Sequence, residues 1–187
     1  MNREQFSKLE SQFGCTVSEC SKDTTNQRVL VNSDVKVVNF DKVKEYYRDE
    51  NNLDSTPSSA DSLLLSPEGQ EVFVEFKAGG VNEKDLLTKI YDSVIIYSNL
   101  MNQSPKCLSD KGTFIVVYDK EREKKANPST VAKAELGVAL LNLAKENYRT
   151  FLPLKVKRMT EKFLFNQVIE LSNVDFKRLY LDSCPTS

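Results

Sequence analysis

Short apolar runs bounded by turn residues mark the most regular part of the chain. One run covers residues 60–65 and the next covers residues 71–77, with a Ser-Pro-Glu-Gly sequence between them. Pro and Gly in that position favour a tight reversal, so the two runs predict a β-hairpin. A third run, residues 112–118, is rich in β-branched and aromatic side chains, which is typical of a strand buried on both faces.

The first fifty residues predict a helix, a second hairpin and another helix. Apolar residues recur at helical spacing over residues 3–13, which predicts a short amphipathic helix. The apolar segments 28–31 and 35–38 flank an Asn-Ser-Asp turn and predict a β-hairpin. Asp41 is placed to cap a helix over residues 43–48.

The second half of the chain predicts two further helices. Asn82 is expected to cap the first of them, which should cover the sheet. Its apolar stripe consists of Leu86, Leu87, Ile90, Val94 and Ile95. The second opens at Asn127-Pro128 and runs to residue 144, with an apolar face broad enough for a core helix or a subunit interface.

The C-terminal part predicts strands after a break at Pro153. These strands cover residues 154–159 and 163–171, and a last helical turn covers residues 175–180. The order of elements therefore predicts an α/β fold with a mixed central β-sheet flanked by helices. A chain of 187 residues, 40% of them hydrophobic, can bury one adequate core, so residues 1–187 are expected to form a single domain.

Composition excludes several kinds of catalytic site. The chain has no His, which removes Ser-His-Asp triads, His-metal nucleases and the usual Cys/His zinc sites. Four cysteines are too few and too irregularly spaced for a disulfide scaffold, although a zinc site made from all four stays open: Cys15, Cys20, Cys107 and Cys184. Catalysis by a Cys or Tyr nucleophile lacks an activating base near Cys107 or the tyrosines. Carboxylates and lysines remain as the main candidates.

The charge pattern gives weak support for nucleic-acid binding. A net charge of −1 lacks the basic footprint of a protein that grips duplex DNA on its own. Local basic patches are formed by Lys120, Arg122, Lys124 and Lys125 and by Lys155, Lys157 and Arg158, with Glu121, Glu123 and Glu161 beside them. Ordinary solvated charge explains these patches at least as well. The N-terminus lacks the apolar run of a signal peptide and no segment reaches the length of a membrane span, so we expect a cytoplasmic protein without a membrane partner.

The predicted hairpin collects two acids and a lysine. Residues two apart on a strand point to the same face, so Glu75 and Lys77 project together, and the hairpin brings Asp61 towards them. Glu75 lies within an apolar run, and a buried carboxylate is costly unless it is paired or bound to a metal. Two carboxylates with a lysine suit a divalent cation acting on phosphate. The alternative is structural: Asp61 caps a loop, and the other two decorate a solvated edge.

These three residues resemble the motif of the PD-(D/E)XK nuclease superfamily. The resemblance implies that Asp61 and Glu75, with the backbone carbonyl of Phe76, hold Mg²⁺ or Mn²⁺, and that Lys77 orients the attacking water. It covers residues 40–119, where the order of elements is similar to the αβββαβ restriction-endonuclease-like core of that superfamily. The chain departs from the motif at Ala60, where the family usually has Pro.

The resemblance also implies two auxiliary residues. An acid on the first core helix sometimes approaches the metal in that superfamily, and Glu45 is the candidate here. The helix after the Glu-x-Lys strand often sends a basic side chain towards the phosphate, and Lys89 is placed to do so. The ordinary interpretations are a surface Glu45 beside neighbouring lysines, and an ion pair of Lys89 with Asp85 or Asp92 on its own helix.

Two functions follow as expectations. The first is a magnesium-dependent nuclease related to phage, mobile-element or defence enzymes, acting on DNA rather than RNA. A homodimer would let two copies pool their modest basic patches. The alternative is a non-catalytic interaction or assembly protein that keeps a nuclease-like α/β fold. In that case the apolar helix over residues 131–143 would be the partner surface.

Overall fold

The computed structural model describes residues 3–23, 27–123 and 152–182. The strands are β1 Gly14–Thr16, β2 Lys22–Asp23, β3 Arg28–Val29, β4 Lys36–Asn39, β5 Ser62–Leu65, β6 Glu71–Lys77, β7 Thr113–Tyr118 and β8 Gln167–Ser172. The helices are α1 Arg3–Phe13, α2 Val17–Cys20, α3 Phe40–Glu50, α4 Glu83–Met101, α5 Lys106–Lys111, α6 Lys120–Glu123, α7 Leu154–Thr160 and α8 Asn173–Phe176, and a π-helical turn, Lys177–Leu181, follows α8.

Six of these strands form one mixed sheet in the order β1-β4-β5-β6-β7-β8. The neighbouring pairs from β1 to β6 in this order are antiparallel, whereas β6, β7 and β8 run parallel to one another. Strands β2 and β3 pair with each other in a separate two-stranded ribbon. The predicted α/β class, with a mixed central sheet flanked by helices, is confirmed.

The hairpin formed by β5 and β6 is confirmed in the predicted position. Its strands pair from Ser62 opposite Val74 to Leu65 opposite Glu71. The reversal is closed by a hydrogen bond of 2.8 Å from the Gly69 amide to the Ser66 carbonyl. Gly69 has a φ of 78°, a conformation that a residue without a Cβ adopts at little cost.

Helix α4 carries the chain from β6 to the parallel strand β7 and covers one face of the sheet. The Asn82 side chain caps it, accepting hydrogen bonds from the amides of Lys84 and Asp85. Leu86, Ile90 and Val94 are buried as predicted. The prediction that Ile95 belongs to the same stripe is wrong: it lies about 100° around the helix from the buried Val94 and is 53% exposed.

The predicted hairpin over residues 28–31 and 35–38 is wrong. Strand β4 pairs with β1, and β3 pairs with β2. A side chain at position 14 would collide with the Glu10 carbonyl, so Gly14 lets α1 continue directly into β1. Residues 30–35 then pack against α2, where the Ser18 amide donates a hydrogen bond of 3.1 Å to the Ser33 carbonyl.

Two other boundaries differ from the prediction. Residues 154–159, predicted as a strand, belong to helix α7, which buries Val156 and Thr160 one turn apart. The last strand begins at Gln167 rather than at residue 163. Asn39, not Asp41, caps α3, because its side-chain oxygen accepts a hydrogen bond from the Lys42 amide.

Two strands, β5 and β6, separate α3 from α4, where the αβββαβ pattern would have three. A further sheet strand, β4, precedes α3 instead. The restriction-endonuclease-like assignment of residues 40–119 therefore stays a prediction. The predicted helix over residues 127–144, together with Lys124, Lys125 and Cys184, lies outside the described residues.

Two of the cysteines are paired with each other. Cys15 and Cys20 form a disulfide that joins β1 to the end of α2, and Cys107 is a free, exposed thiol. The pairing removes two of the four thiols that an all-cysteine zinc site would need.

None of the helices in residues 3–23, 27–123 and 152–182 combines the length and the apolar character needed to cross a bilayer.

Candidate active site

Asp61 is fixed at the start of β5 by its own backbone. Its amide donates a hydrogen bond of 3.0 Å to the Val74 carbonyl, and its carbonyl accepts one of 3.1 Å from the Phe40 amide. The side chain then reaches along the hairpin, where Oδ2 accepts a hydrogen bond of 2.6 Å from the Phe76 amide. These contacts hold the Asp61 carboxylate beside the end of β6, as the hairpin predicted.

The loop before Asp61 is anchored to α4. Asp92 Oδ2 accepts a hydrogen bond of 2.9 Å from the Ser58 amide, and Ser93 Oγ accepts one of 2.8 Å from the Ala60 amide. Asp92 is therefore engaged with the loop and is not the partner of Lys89. Both hydrogen bonds tie the loop before Asp61 to the helix that carries Lys89.

Glu75 and Lys77 share one face of β6, as predicted. Lys77 Nζ lies 2.7 Å from Glu75 Oε1. The Glu75 side chain is only 1% exposed, whereas that of Lys77 is 23% exposed. The alternative in which both residues decorate a solvated edge is wrong for Glu75, because its carboxylate lies inside the protein.

Lys89 of α4 completes the cluster. Its Nζ lies 2.7 and 2.9 Å from the two carboxylate oxygens of Glu75 and 3.4 Å from Asp61 Oδ1. One ammonium thus bridges the two carboxylates that the sequence singled out. Its salt bridges run to these two residues and not to the acids of its own helix.

Glu45 does not join this cluster. Its side chain is exposed on α3. The acid of α3 nearest the site is Asp41, one turn earlier, which lines the same cavity as Asp61. Asp41 is held there by Lys44 Nζ at 2.5 Å and by the Ser59 hydroxyl at 3.2 Å. The resemblance implied Glu45 for this place. Asp41 lies one turn earlier on the same side of α3, and this first turn of the helix borders the cavity.

The cavity next to Asp61 has a volume of about 420 Å³. Its walls come from the end of α2 and from β2 on one side and from the end of the β5–β6 hairpin on the other. The lining residues are Cys20, Ser21, Lys22, Asp23, Leu30, Asp41, Asp61, Phe76, Ala78 and Gly79. A small ligand or part of a larger one can therefore reach the Asp61 carboxylate from solvent.

The electrostatics of the cluster favour one extra positive charge near Asp61. Burial raises the pKa of Asp61, the Glu75 carboxylate raises it further, and Lys89 offsets this only in part, so that the pKa is about 7. Burial alone would lower the pKa of Lys89, but the carboxylates of Asp61 and Glu75 outweigh it and raise that pKa above its usual value. Lys89 therefore stays charged while it faces them.

The oxygen donors of the site suit a hard divalent cation, but Lys89 lies where such a cation would bind. Asp61 and Glu75 offer only oxygen, and Mg²⁺ is commonly held by one or two carboxylates with water and phosphate oxygens in the other positions. No group of three or more His, Cys, Asp or Glu side chains suited to a metal occurs among the described residues. The Lys89 ammonium lies between the two carboxylates, so a metal bound there would have to displace it.

Comparisons with known proteins do not place the chain in a family. Neither a protein-family model nor a curated protein matches the sequence, and no solved structure matches the fold.

Proposed function

We propose that the protein is a metal-dependent phosphodiesterase that cleaves nucleic acid, in the manner of the PD-(D/E)XK nucleases. One observation carries the proposal: the Glu75 carboxylate is buried, and a single cationic position lies between it and Asp61. Burying a carboxylate costs free energy that packing does not return. A need to hold a cation at this place would explain why the buried Glu75 carboxylate is present.

Each side chain has a role in this proposal. Asp61 and Glu75, with the backbone carbonyl of Phe76, would hold Mg²⁺ or Mn²⁺, and the bound ion would supply positive charge to the phosphate in the transition state. Lys77 lies beside Glu75 and orients the attacking water. Lys89, released from the carboxylates, contacts a phosphate oxygen. Asp41 stays at the cavity rim and adds negative charge.

The charge balance supports the movement of Lys89. When Asp61 is ionised, the charges of the two carboxylates and the two ammonium groups of the cluster cancel. A divalent cation adds two positive charges, which weakens the hold of the carboxylates on Lys89 and attracts an anionic phosphate. Metal and phosphate should therefore bind with positive cooperativity.

The substrate class and the oligomeric state are proposed from the resemblance and from the charge of the chain. The resemblance to the superfamily favours DNA over RNA and a role in phage, mobile-element or defence systems. Because the whole chain carries a net charge of −1, a homodimer that pools local cations would bind DNA better than one copy. A cytoplasmic location suits a substrate of this kind.

Cleavage of labelled nucleic acid tests the proposal. The wild-type protein, incubated with Mg²⁺ or Mn²⁺, should cut at least one of single-stranded DNA, duplex DNA, single-stranded RNA and duplex RNA. Glu75→Gln and Lys77→Met should lose this activity, while Glu50→Gln, which changes an exposed acid at the end of α3, should keep it. Absence of cleavage by the wild type on all four substrates would refute the proposal.

A non-catalytic interaction protein is the second candidate. Its support is that Lys77 and Lys89 already neutralise Glu75 and Asp61 without any metal, so the cluster is complete as a buried ion-pair network. Such a network holds β5, β6 and α4 together. The predicted partner helix over residues 131–143 lies outside the described residues. In this case the protein should not bind Mn²⁺.

A further inference from the structure

The outer surface of α7 combines positive charge with exposed apolar side chains. Residues 154–163 contain four cations and one acid, a net charge of +3 in a chain whose total is −1. Leu154 is 59% exposed, Met159 is 41% exposed, and Phe163, just after the helix, is 69% exposed. These apolar side chains, interleaved with lysine and arginine, belong to neither of the two hydrophobic cores of the described residues.

The helical geometry puts charged and apolar groups on the same face. At 100° per residue, Leu154, Arg158, Lys155 and Met159 fall in that order within an arc of about 140°. The buried residues Val156 and Thr160 lie on the other side of the helix. Cations and apolar groups thus alternate around the solvent face rather than occupying separate faces.

The cations on this face are largely available. Arg158 is exposed and makes no ion pair with another described residue. Lys155 is 69% exposed, and its Nζ lies 4.0 Å from Glu83 Oε2, at the outer limit of a salt bridge. Exposed ion pairs of this kind contribute little, so Lys155 can exchange this partner for another anion.

The same contact locates the surface relative to the candidate site. Glu83 is the first residue of α4, and α4 follows β6 after the short loop 78–82. Helix α7 packs against α4. The basic and apolar face of α7 therefore begins near the start of α4, which follows the strand that carries Glu75 and Lys77 after one short loop.

We infer that the surface formed by Leu154, Lys155, Arg158, Met159 and Phe163 binds single-stranded nucleic acid. This inference rests on the proposed function and names the substrate class that the site would receive. Unpaired bases offer flat apolar faces to Phe163 and the neighbouring aliphatic groups, and the phosphates between them pair with Lys155 and Arg158. In a duplex the base faces are stacked and hidden, so the apolar groups would have no partner.

A membrane surface fits the arrangement less well. Helices that lie on anionic membranes separate an apolar face from a basic one, so that the apolar face enters the lipid. Here Arg158 lies between Leu154 and Met159 on the same arc, and the helix has only seven residues. Insertion of the apolar groups would bury the charge between them.

Fluorescence anisotropy with labelled oligothymidylate, in EDTA to prevent cleavage, tests the inference. We expect Phe163→Ala to weaken binding on the order of tenfold. Arg158→Gln and Lys155→Gln should each weaken it and lower the slope of log affinity against log salt concentration by roughly 0.7. The matched controls, Leu53→Ala and Lys106→Gln, replace exposed residues elsewhere and should bind like the wild type.

Three results would overturn the inference. They are absence of oligothymidylate binding by the wild type, equal losses in the α7 variants and the controls, and binding to phosphatidylserine vesicles or duplex DNA in preference to the oligonucleotide. Failure of the proposed function is distinguishable: a wild type that binds oligothymidylate through α7 but neither binds Mn²⁺ nor cleaves would leave this surface standing. A wild type that cleaves, with α7 variants that bind and cleave equally well, would refute the surface alone.

Discussion

Lys89 Nζ lies 2.7 and 2.9 Å from the two carboxylate oxygens of Glu75, a side chain that is 1% exposed. The contact joins the middle of α4 to the strand that the helix covers. It neutralises a buried carboxylate, and it occupies the position that a metal ion would need. Stability without metal and affinity for metal should therefore change in opposite directions when Lys89 is altered.

Replacing Lys89 with Met should destabilise the protein and increase its affinity for Mn²⁺. Glu75 keeps only Lys77 as a cationic partner, which should lower the free energy of unfolding by about 2 kcal/mol. Urea denaturation in EDTA measures the loss, and calorimetric titration measures the gain in affinity. Lys84→Met, on the exposed side of the same helix, is the control. Unchanged stability would show that the contact contributes nothing.

The pKa of Asp61, raised to about 7, predicts a pH-dependent stability in the absence of metal. Between its ordinary pKa and about 7 the folded protein holds a proton that the unfolded chain has lost, so stability contributed by Asp61 falls as pH rises through this window. Asp61→Asn removes the titration and keeps an acceptor for the Phe76 amide. The variant should gain about 2 kcal/mol relative to wild type between about pH 5 and pH 8. A constant difference across this range would contradict the shift.

The two acids of α3 should differ in their effect on metal binding. Asp41 lines the cavity beside Asp61, whereas Glu45 is exposed on the helix surface. Asp41→Asn should weaken Mn²⁺ binding severalfold, because it removes a negative charge close to the cation. Glu45→Gln should weaken it much less. A larger effect of Glu45→Gln would mean that Glu45, as the resemblance implied, approaches the metal.

Tyr97→Phe should affect stability but not metal binding. The Tyr97 hydroxyl donates a hydrogen bond of 2.9 Å to Glu71 Oε1, and both residues are buried. Burial and the adjacent Glu71 carboxylate raise the pKa of Tyr97, so the hydroxyl remains a donor. Its loss should cost about 1–2 kcal/mol in urea denaturation. Mn²⁺ affinity should stay unchanged, because Glu71 lies at the opposite end of β6 from Lys77.

The local part of the fold was predictable from the sequence. A turn between two apolar runs is enough to predict the hairpin. The pleat of a single strand is enough to predict that Glu75 and Lys77 point to the same face. Because the neighbouring residues are apolar, the burial of Glu75 could also be expected. The approach of Lys89 depended on the resemblance, since residues 75 and 89 belong to different elements.

The remaining differences come from interactions between distant segments. A strand close to β4 is predicted by its apolar residues, but its partner β1 has only three residues and carries no periodicity of its own. Residues 154–157 alternate apolar and charged side chains, a pattern typical of a strand, but Val156 and Thr160 are buried one helical turn apart in α7. Asp41 and Glu45 lie on the same side of α3, so the difference between them depends on which turn of the helix borders the cavity, and that is the first turn. These outcomes are fixed by packing and capping rather than by local pattern.

Calorimetric titration with Mn²⁺ tests the central claim, that Asp61 and Glu75 form a site for a divalent cation. The account predicts one binding event for the wild-type protein, loss of that event in Glu75→Gln and its retention in Glu50→Gln. Circular dichroism of each variant establishes that the fold is intact. A wild-type protein that releases or absorbs no heat of binding, or a folded Glu75→Gln variant that binds as tightly, would contradict the account and leave the cluster as a structural ion-pair network.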